Sequence, residues 1–495
     1  MRSNSPFARF AYALLTAAGA VAIAQSPSQP KSSSSPVAVS VYDRTRSESW
    51  QWFAAPPQSE TYSYAGLLLR LGVSQELKRL DWQLELSQAS VLGVPDDAIS
   101  SLPAQGQMGL GATYYAANGN NSYAAAAFLK QGFIRYRAGE GRNVRLGRFE
   151  FFEGQETKPK DATLDWLQTN RISQRLIGNF GFSTAQRSFD GLDAHWSTGA
   201  WTVTGMAARA DQGVFNMNGN PELNVDVQYL ALTHAPLHNH MLWRAFALGY
   251  HDGRTGIAKT DNRPLPLRKA DHQNIRVGTY GGDIVATIPA AGGAIDLLGW
   301  GVVQNGQWGT LEQHAQAGAL EAGYQWKRLA TAPWLRGGYF YGSGDNDPSD
   351  KRHGTFFQVL PTPWIYAHFP FYNLMNNRDG YLQIVDHPTK RLEVRSDLHW
   401  LTLASNKDLW YLSGGAYDNK AFGYVGRPSN GHSSLATVFD VTSSWQATKS
   451  VTANFYYGHA NGKSAIAGIY PANHNAQFGY VEVVCRWGEP QRANH

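Results

Sequence analysis

Along most of this chain, apolar and polar positions alternate one for one. Asp81-Trp82-Gln83-Leu84-Glu85-Leu86-Ser87 places Trp82, Leu84 and Leu86 on one face and Asp81, Gln83, Glu85 and Ser87 on the other. Leu320–Trp326 and Leu392–Trp400 repeat the pattern. Successive side chains of a strand point to opposite faces, so each segment reads as a strand with one face in an apolar medium. No long stretch carries the 3.6-residue period of an amphipathic helix.

The connections between these segments sort by length. Short joins are expected at 139–141, 198–199, 236–240, 289–291, 328–331, 389–390 and 447–449. Long ones fall between them, at 93–123, 154–185, 212–223, 253–272, 305–315, 344–378, 412–431 and 461–473. A sandwich has no reason to alternate its connections this way, whereas a membrane barrel has short turns on one side and long loops on the other. With a first strand near 38–53 the count is about eighteen, which leaves both ends on the periplasmic side. Lipid offers no hydrogen-bond partners, so a sheet in a bilayer must close on itself. The predicted fold is therefore all-β: one transmembrane antiparallel β-barrel of outer-membrane type over 38–487.

Composition agrees. The 495 residues include 50 Gly, 24 Tyr, 22 Phe and 16 Trp, and only 16% are charged, against about 25% in soluble domains. Mean hydropathy is negative, as it is when every strand carries a polar lumenal face. Arg2 and Arg9, the apolar stretch Phe10–Ile23 and Ala22-Ile23-Ala24 have the form of a cleaved secretory signal over 1–24. A Ser- and Pro-rich leader over 25–37 follows, and a polar tail over 488–495 closes the chain. The single Cys485 excludes an internal disulfide and a cysteine-based zinc site. The net charge of +5 becomes +3 once Arg2 and Arg9 leave, too little to suggest nucleic-acid binding.

Arg145-Leu146-Gly147-Arg148-Phe149-Glu150-Phe151, the loop sequence from Asn170 to Phe182, and Arg187-Ser188-Phe189-Asp190-Gly191 together resemble the alginate-export family of outer-membrane barrels. So do Gly342-Ser343-Gly344-Asp345-Asn346-Asp347-Pro348, the following Thr355-Phe356-Phe357 and Leu360-Pro361-Thr362, and Leu409-Trp410-Tyr411 with Gly414-Gly415. The resemblance implies an eighteen-stranded barrel, whose best-known members pass anionic polysaccharide outward through an arginine-lined lumen.

Strand parity puts Arg70, Arg135, Arg137, Arg145, Arg187, Arg276, Arg336, Arg395 and Arg486 on the inner face. A guanidinium fork donates two parallel hydrogen bonds to a carboxylate and keeps its charge at any physiological pH. The same parity points Asp81, Glu85, Asp193, Glu321, Glu393, Asp397 and Glu482 inward, as lumenal salt bridges would require. Arg244 and Lys130 fall on the lipid face by this count, and a single bulge would invert the parity beyond it. In the 154–185 loop, the i, i+4 pair Arg171 and Arg175 suits a constriction on one side of a short helix facing the pore.

Other chemistry is thin. Asp345, Asp347 and Asp350 alternate like calcium ligands but lack the completing acid, and turn chemistry accounts for them. His238 and His240 have no third ligand. His432 adjoins Ser433 and Ser434 too closely for attack geometry, and no nucleophile elbow or H-E-x-x-H signature occurs. Neither a metal nor a cofactor is expected. The function expected is passive transport of an anionic polysaccharide or smaller anion by a monomer. Its partners would be outer-membrane lipid, the anion and periplasmic export machinery. An outer-membrane enzyme and a closed structural barrel are the alternatives.

Overall fold

The computed structural model describes residues 36–236, 240–362 and 368–488. The expected signal peptide, most of the leader and all but the first residue of the polar tail lie outside them. Eighteen strands form the barrel wall. The first nine are β1 (Ala38–Gln51), β2 (Thr61–Glu76), β3 (Leu80–Leu92), β4 (Tyr123–Gly139), β5 (Arg142–Phe149), β6 (Phe189–Thr198), β7 (Trp201–Asp211), β8 (Glu222–His234) and β9 (Met241–Asp252). The rest are β10 (Ile275–Ala290), β11 (Gly293–Trp308), β12 (Leu311–Gln325), β13 (Trp334–Gly342), β14 (Asn377–Thr389), β15 (Leu392–Leu403), β16 (Ser434–Gln446), β17 (Val451–Gly462) and β18 (Asn475–Trp487). Each wall strand pairs antiparallel with its neighbours, and β1 pairs with β18 from Val41↔Trp487 to Gln51↔Gln477, which closes the sheet.

The outer face is the apolar one. Leu320 is 74% exposed and Leu146 63%, with Leu230, Val303 and Ile384 also bare; such a surface is stable only against lipid. Exposed Tyr136, Trp196, Trp201, Trp326, Trp445 and Trp487 gather at the short-turn end, forming the girdle expected at a membrane interface. At the opposite end, across β5 to β10, the outward positions carry a ladder of charge. Arg148 pairs in register with Asp190, Asp190 with Arg209, Arg209 with Asp226, Asp226 with His251, and His251 with Arg276. Arg276 is exposed on this outer ladder, not inside as parity predicted, because β10 turns Val277 and Val285 inward and Tyr280 and Ile284 outward.

Three further expectations are corrected. Arg244 faces the lumen, together with Leu242, Phe246, Leu248 and Tyr250 of β9; this inner stripe is apolar because loops pack against it, which inverted the reading of its face. Lys130 is also inside. The β3–β4 register steps from Glu85↔Gln131 to Leu86↔Leu129, so Lys130 is the extra residue of a bulge. On the facing strand, Gly147 has φ +132°, and a Cβ there would lie 2.3 Å from the Gly132 carbonyl oxygen. The expected long loop at 305–315 is a tight turn: β11 and β12 pair up to Trp308↔Leu311, with Gly309 at φ +63°. Elsewhere the alternation of short turns and long loops holds.

Candidate functional site

The lumen is lined by ion pairs within and between the wall strands. Arg135 Nε lies 3.1 Å from Asp81 Oδ2, and Arg137, near the periplasmic rim, 2.7 Å from Asp81 Oδ1. Arg145 meets Asp193 at 3.1 Å. Arg70 joins Glu85 and Glu150 at 2.7 Å each. Arg395 reaches Asp397 at 2.6 Å, and Arg336 reaches Asp296 at 3.0 Å and Glu321 at 3.2 Å. Arg486 is inward but exposed, over the Tyr42 ring. Glu393 sits near the rim beside His387.

The segment 150–188 crosses this lumen. It begins at the end of β5 and forms α1 (Ala162–Leu167), whose start is fixed by Asp161 accepting from the amides of Thr163 and Leu164. The helix then widens into a π turn over Gln168–Ile172. Arg171 projects from this turn and Arg175 follows it, and both end on one carboxylate of the far wall. Arg171 grips Glu321 with Nε at 2.9 Å and Nη2 at 3.0 Å, and Arg175 Nη2 reaches the same group at 3.2 Å. The Arg171 guanidinium lies on the Tyr381 ring and that of Arg175 on Trp300. All three charged side chains are closed off from solvent.

Wall arginines hold the rest of the segment. Arg46 Nη1 donates to the Phe182 carbonyl at 2.8 Å, and Arg44 donates to those of Gly181 and Ser183. Arg244 takes Glu153 at 2.6 Å, Glu156 at 3.2 Å and Asp283 at 2.6 Å. Burial pushes the Glu150 carboxyl up, but Arg70 and Lys130 outweigh it and hold the group down at about 2. For Glu153 burial wins over Arg244, and its pKa is raised. Parity could not reveal these contacts. The signals available were Arg44, Arg46 and Glu48 alternating in β1, and Glu150, Glu153 and Glu156 spaced by three in the loop.

Arg187 joins three loops through their backbone carbonyls. It donates to the carbonyls of Gly178 at 3.1 Å, Leu360 at 2.9 Å, Gly414 at 3.1 Å and Ala416 at 3.2 Å. Burial pulls its pKa down to about 10, so it stays cationic at neutral pH. Around it, Phe356, Phe357, Leu360, Tyr411 and Tyr424 from 343–376 and 404–433 pack into the apolar core inside the barrel. Folded-in loops thus occupy part of the interior.

The extracellular part of these loops uses its acids for turns. Asp345 accepts from the amides of Asp347 and Gly354, Asp347 from Ser349, and Asp350 from Arg352. These groups line a cleft of about 480 Å³ with His314 and Gln316. His238 lies outside the described residues, and His240 is 3.5 Å from Asp161. His353 is buried against Trp308, stacked at 4.2 Å, with Nδ1 2.6 Å from Gln313 Oε1. Burial lowers its pKa from 6.5 to about 4. The unfolded loop therefore binds the proton first, and the stability that neutral His353 gives is complete above pH 6.5 and lost as pH falls towards 4. At pH 5 the linked cost is about 2 kcal/mol. Acidification from pH 7.5 to 5 is expected to lower amide protection around 343–360, measured as exchange relative to the intrinsic rate at each pH, and His353→Gln should flatten that response; an unchanged response in the variant would assign it elsewhere.

A family profile described as alginate export matches residues 120–462. The chain belongs to the alginate export family. No curated protein sequence matches it. Among solved structures it is similar to OccK9 (OpdG) of Pseudomonas aeruginosa, with TM-score 0.55 and 11% identity over 91% of this chain and 98% of that one. OccAB2 of Acinetobacter baumannii gives 0.56 at 8%, again over 91% and 98%. OpdK of P. aeruginosa, crystallised with vanillate, gives 0.54 at 7% with the same coverage. At these identities the likeness is one of fold. This family member is an outer-membrane β-barrel of the porin-like channel type.

Proposed function

We propose that the barrel is a gated passage for anions bearing carboxylates, with acidic polysaccharide as the leading cargo class, and that 150–188 is its gate. The observation that carries this reading is the seat around Glu321. Arg171, Arg175 and Arg336 converge on one carboxylate, and when the gate moves the forks of Arg171 and Arg175 would be released from it to take the carboxylate of a sugar acid. Guanidinium forks suit that group by geometry and by charge-assisted hydrogen bonding. Arg135, Arg137, Arg145 and Arg395 would extend the arginine path along the wall, and Arg187 would hold the loops around it. The fold neighbour crystallised with vanillate, itself a carboxylate, is compatible with this chemistry.

Planar-bilayer recordings test the proposal. Oligouronates are expected to block the current more strongly than neutral oligosaccharides of the same length, and replacing Arg171 and Arg175 with Glu should reduce anion preference. Equal block by both panels removes the cargo class, and an unchanged reversal potential removes the two arginines. If deletion of 154–185 still yields no current, the barrel is closed and structural.

A further inference from the structure

The geometry points to a metal site in the lumenal wall, formed by His399 and Asp397 of β15 and Asp440 of β16, that takes a divalent transition cation such as zinc. The three side chains are buried, and each offers a ligand atom within 4.8 Å of the other two. Asp397 and Asp440 stand directly opposite each other in the strand register. Two carboxylates so placed repel unless something positive lies between them.

His399 is what separates this group from an ordinary acidic cluster. Its Nδ1 lies 2.9 Å from Asp379 Oδ2 and 3.1 Å from Oδ1. That carboxylate engages Nδ1, so Nε2 is the nitrogen available to a ligand. Nε2 is buried, makes no hydrogen bond, and is the ring nitrogen left to join the two acids in the three-ligand set. A histidine held by a carboxylate at one nitrogen, with the other bare, is the usual arrangement of a metal-binding imidazole. The surroundings brace the other ligands in the same way. Gln383 Nε2 and Arg395 Nε each donate to Asp397 at 2.6 Å, and the Tyr456 hydroxyl donates to Asp440 at 3.2 Å. Tyr381 stacks on the imidazole.

Charge supports a dication. The carboxyls of Asp379, Asp397 and Asp440 crowd around the imidazole with one guanidinium among them, that of Arg395 on Asp397, so their ionised forms would meet a bound cation. One nitrogen and two carboxylate ligands suit zinc and its neighbours better than calcium or magnesium, which prefer oxygen alone. Bound there, the ion would join adjacent wall strands from inside, and it does not depend on the transport proposal.

The test uses the whole barrel in detergent, stripped with chelator and dialysed against zinc or cobalt. The expected result is one ion retained per chain, and a visible cobalt absorption band that zinc abolishes and excess calcium does not. Asp379→Asn leaves all three ligands in place and should weaken retention by about 10–100-fold; Asp440→Asn and His399→Gln should abolish the band. Heat-modifiable migration on gels checks that each variant is folded. A wild-type barrel that retains no stoichiometric ion overturns the site, leaving the two carboxylates to share a proton. An unchanged band in a folded His399→Gln barrel overturns it equally, and either result stands if the other variants fail to fold.

Discussion

Replacing Glu321 with alanine is expected to release 150–188 from the far wall and raise single-channel conductance several-fold. The change strands Arg171, Arg175 and part of Arg336 without their shared carboxylate, in a place closed off from solvent. Removing one partner from a buried ion pair costs about 3–5 kcal/mol, mostly because the remaining charge stays desolvated. Docking of the segment is therefore the step that fails, and proteases should reach 160–180 in the variant. The control is a triple replacement of Glu321, Arg171 and Arg175 by apolar residues of similar volume. Such swaps of whole buried ion groups are often neutral, so the triple variant should close again. If conductance and protease resistance are unchanged in Glu321→Ala, the cluster does not hold the gate.

Arg187→Met should have the next largest effect, and a different one. Arg187 binds backbone carbonyls of 150–188, 343–376 and 404–433 together, so its loss separates loops from one another rather than from the wall. Hydrogen bonds to a charged group contribute about 1.5–3 kcal/mol each, and the buried carbonyls left behind add their own cost. Amide exchange around Gly178, Leu360 and Gly414 is expected to rise together by at least about tenfold, the equivalent of 1.4 kcal/mol. Arg187→Lys should recover only part of this, because an ammonium has three donors and lacks the planar fork. Acceleration confined to one loop would show that Arg187 does not couple them.

The barrel was legible in the sequence because its two solvents impose a period of two, which survives in strands such as β3 and β15. Parity failed where the inside of the barrel is not aqueous. On β9 the inner stripe is Leu242, Phe246, Leu248 and Tyr250, so an apolar face no longer meant lipid, and Arg244 was placed outside. At Lys130 one extra residue shifted the phase. The 305–315 segment carries Asn-Gly and Trp-Gly pairs that read as loop, yet only Gly309-Thr310 is needed to turn the chain. Arg171 and Arg175 were identifiable as a pair from their spacing. Their partner was not, because Glu321 is 150 residues from Arg171 in sequence and nothing local records the path of a loop across a lumen. The grouping of Asp397 and His399 with Asp440 was hidden for the same reason.

The ladder from Arg148 to Arg276 has a mechanical consequence. It marks a waterline along this flank, since alternating charges cannot sink into hydrocarbon without heavy cost. With the tryptophan girdle fixing the lower edge, β5 to β10 are held at a set depth, and a tilt that submerges this side is opposed. The segment that crosses the lumen leaves the wall from the end of β5, beside Arg148. The proposed gate would thus be hinged on a stretch of wall that the membrane holds at a set depth.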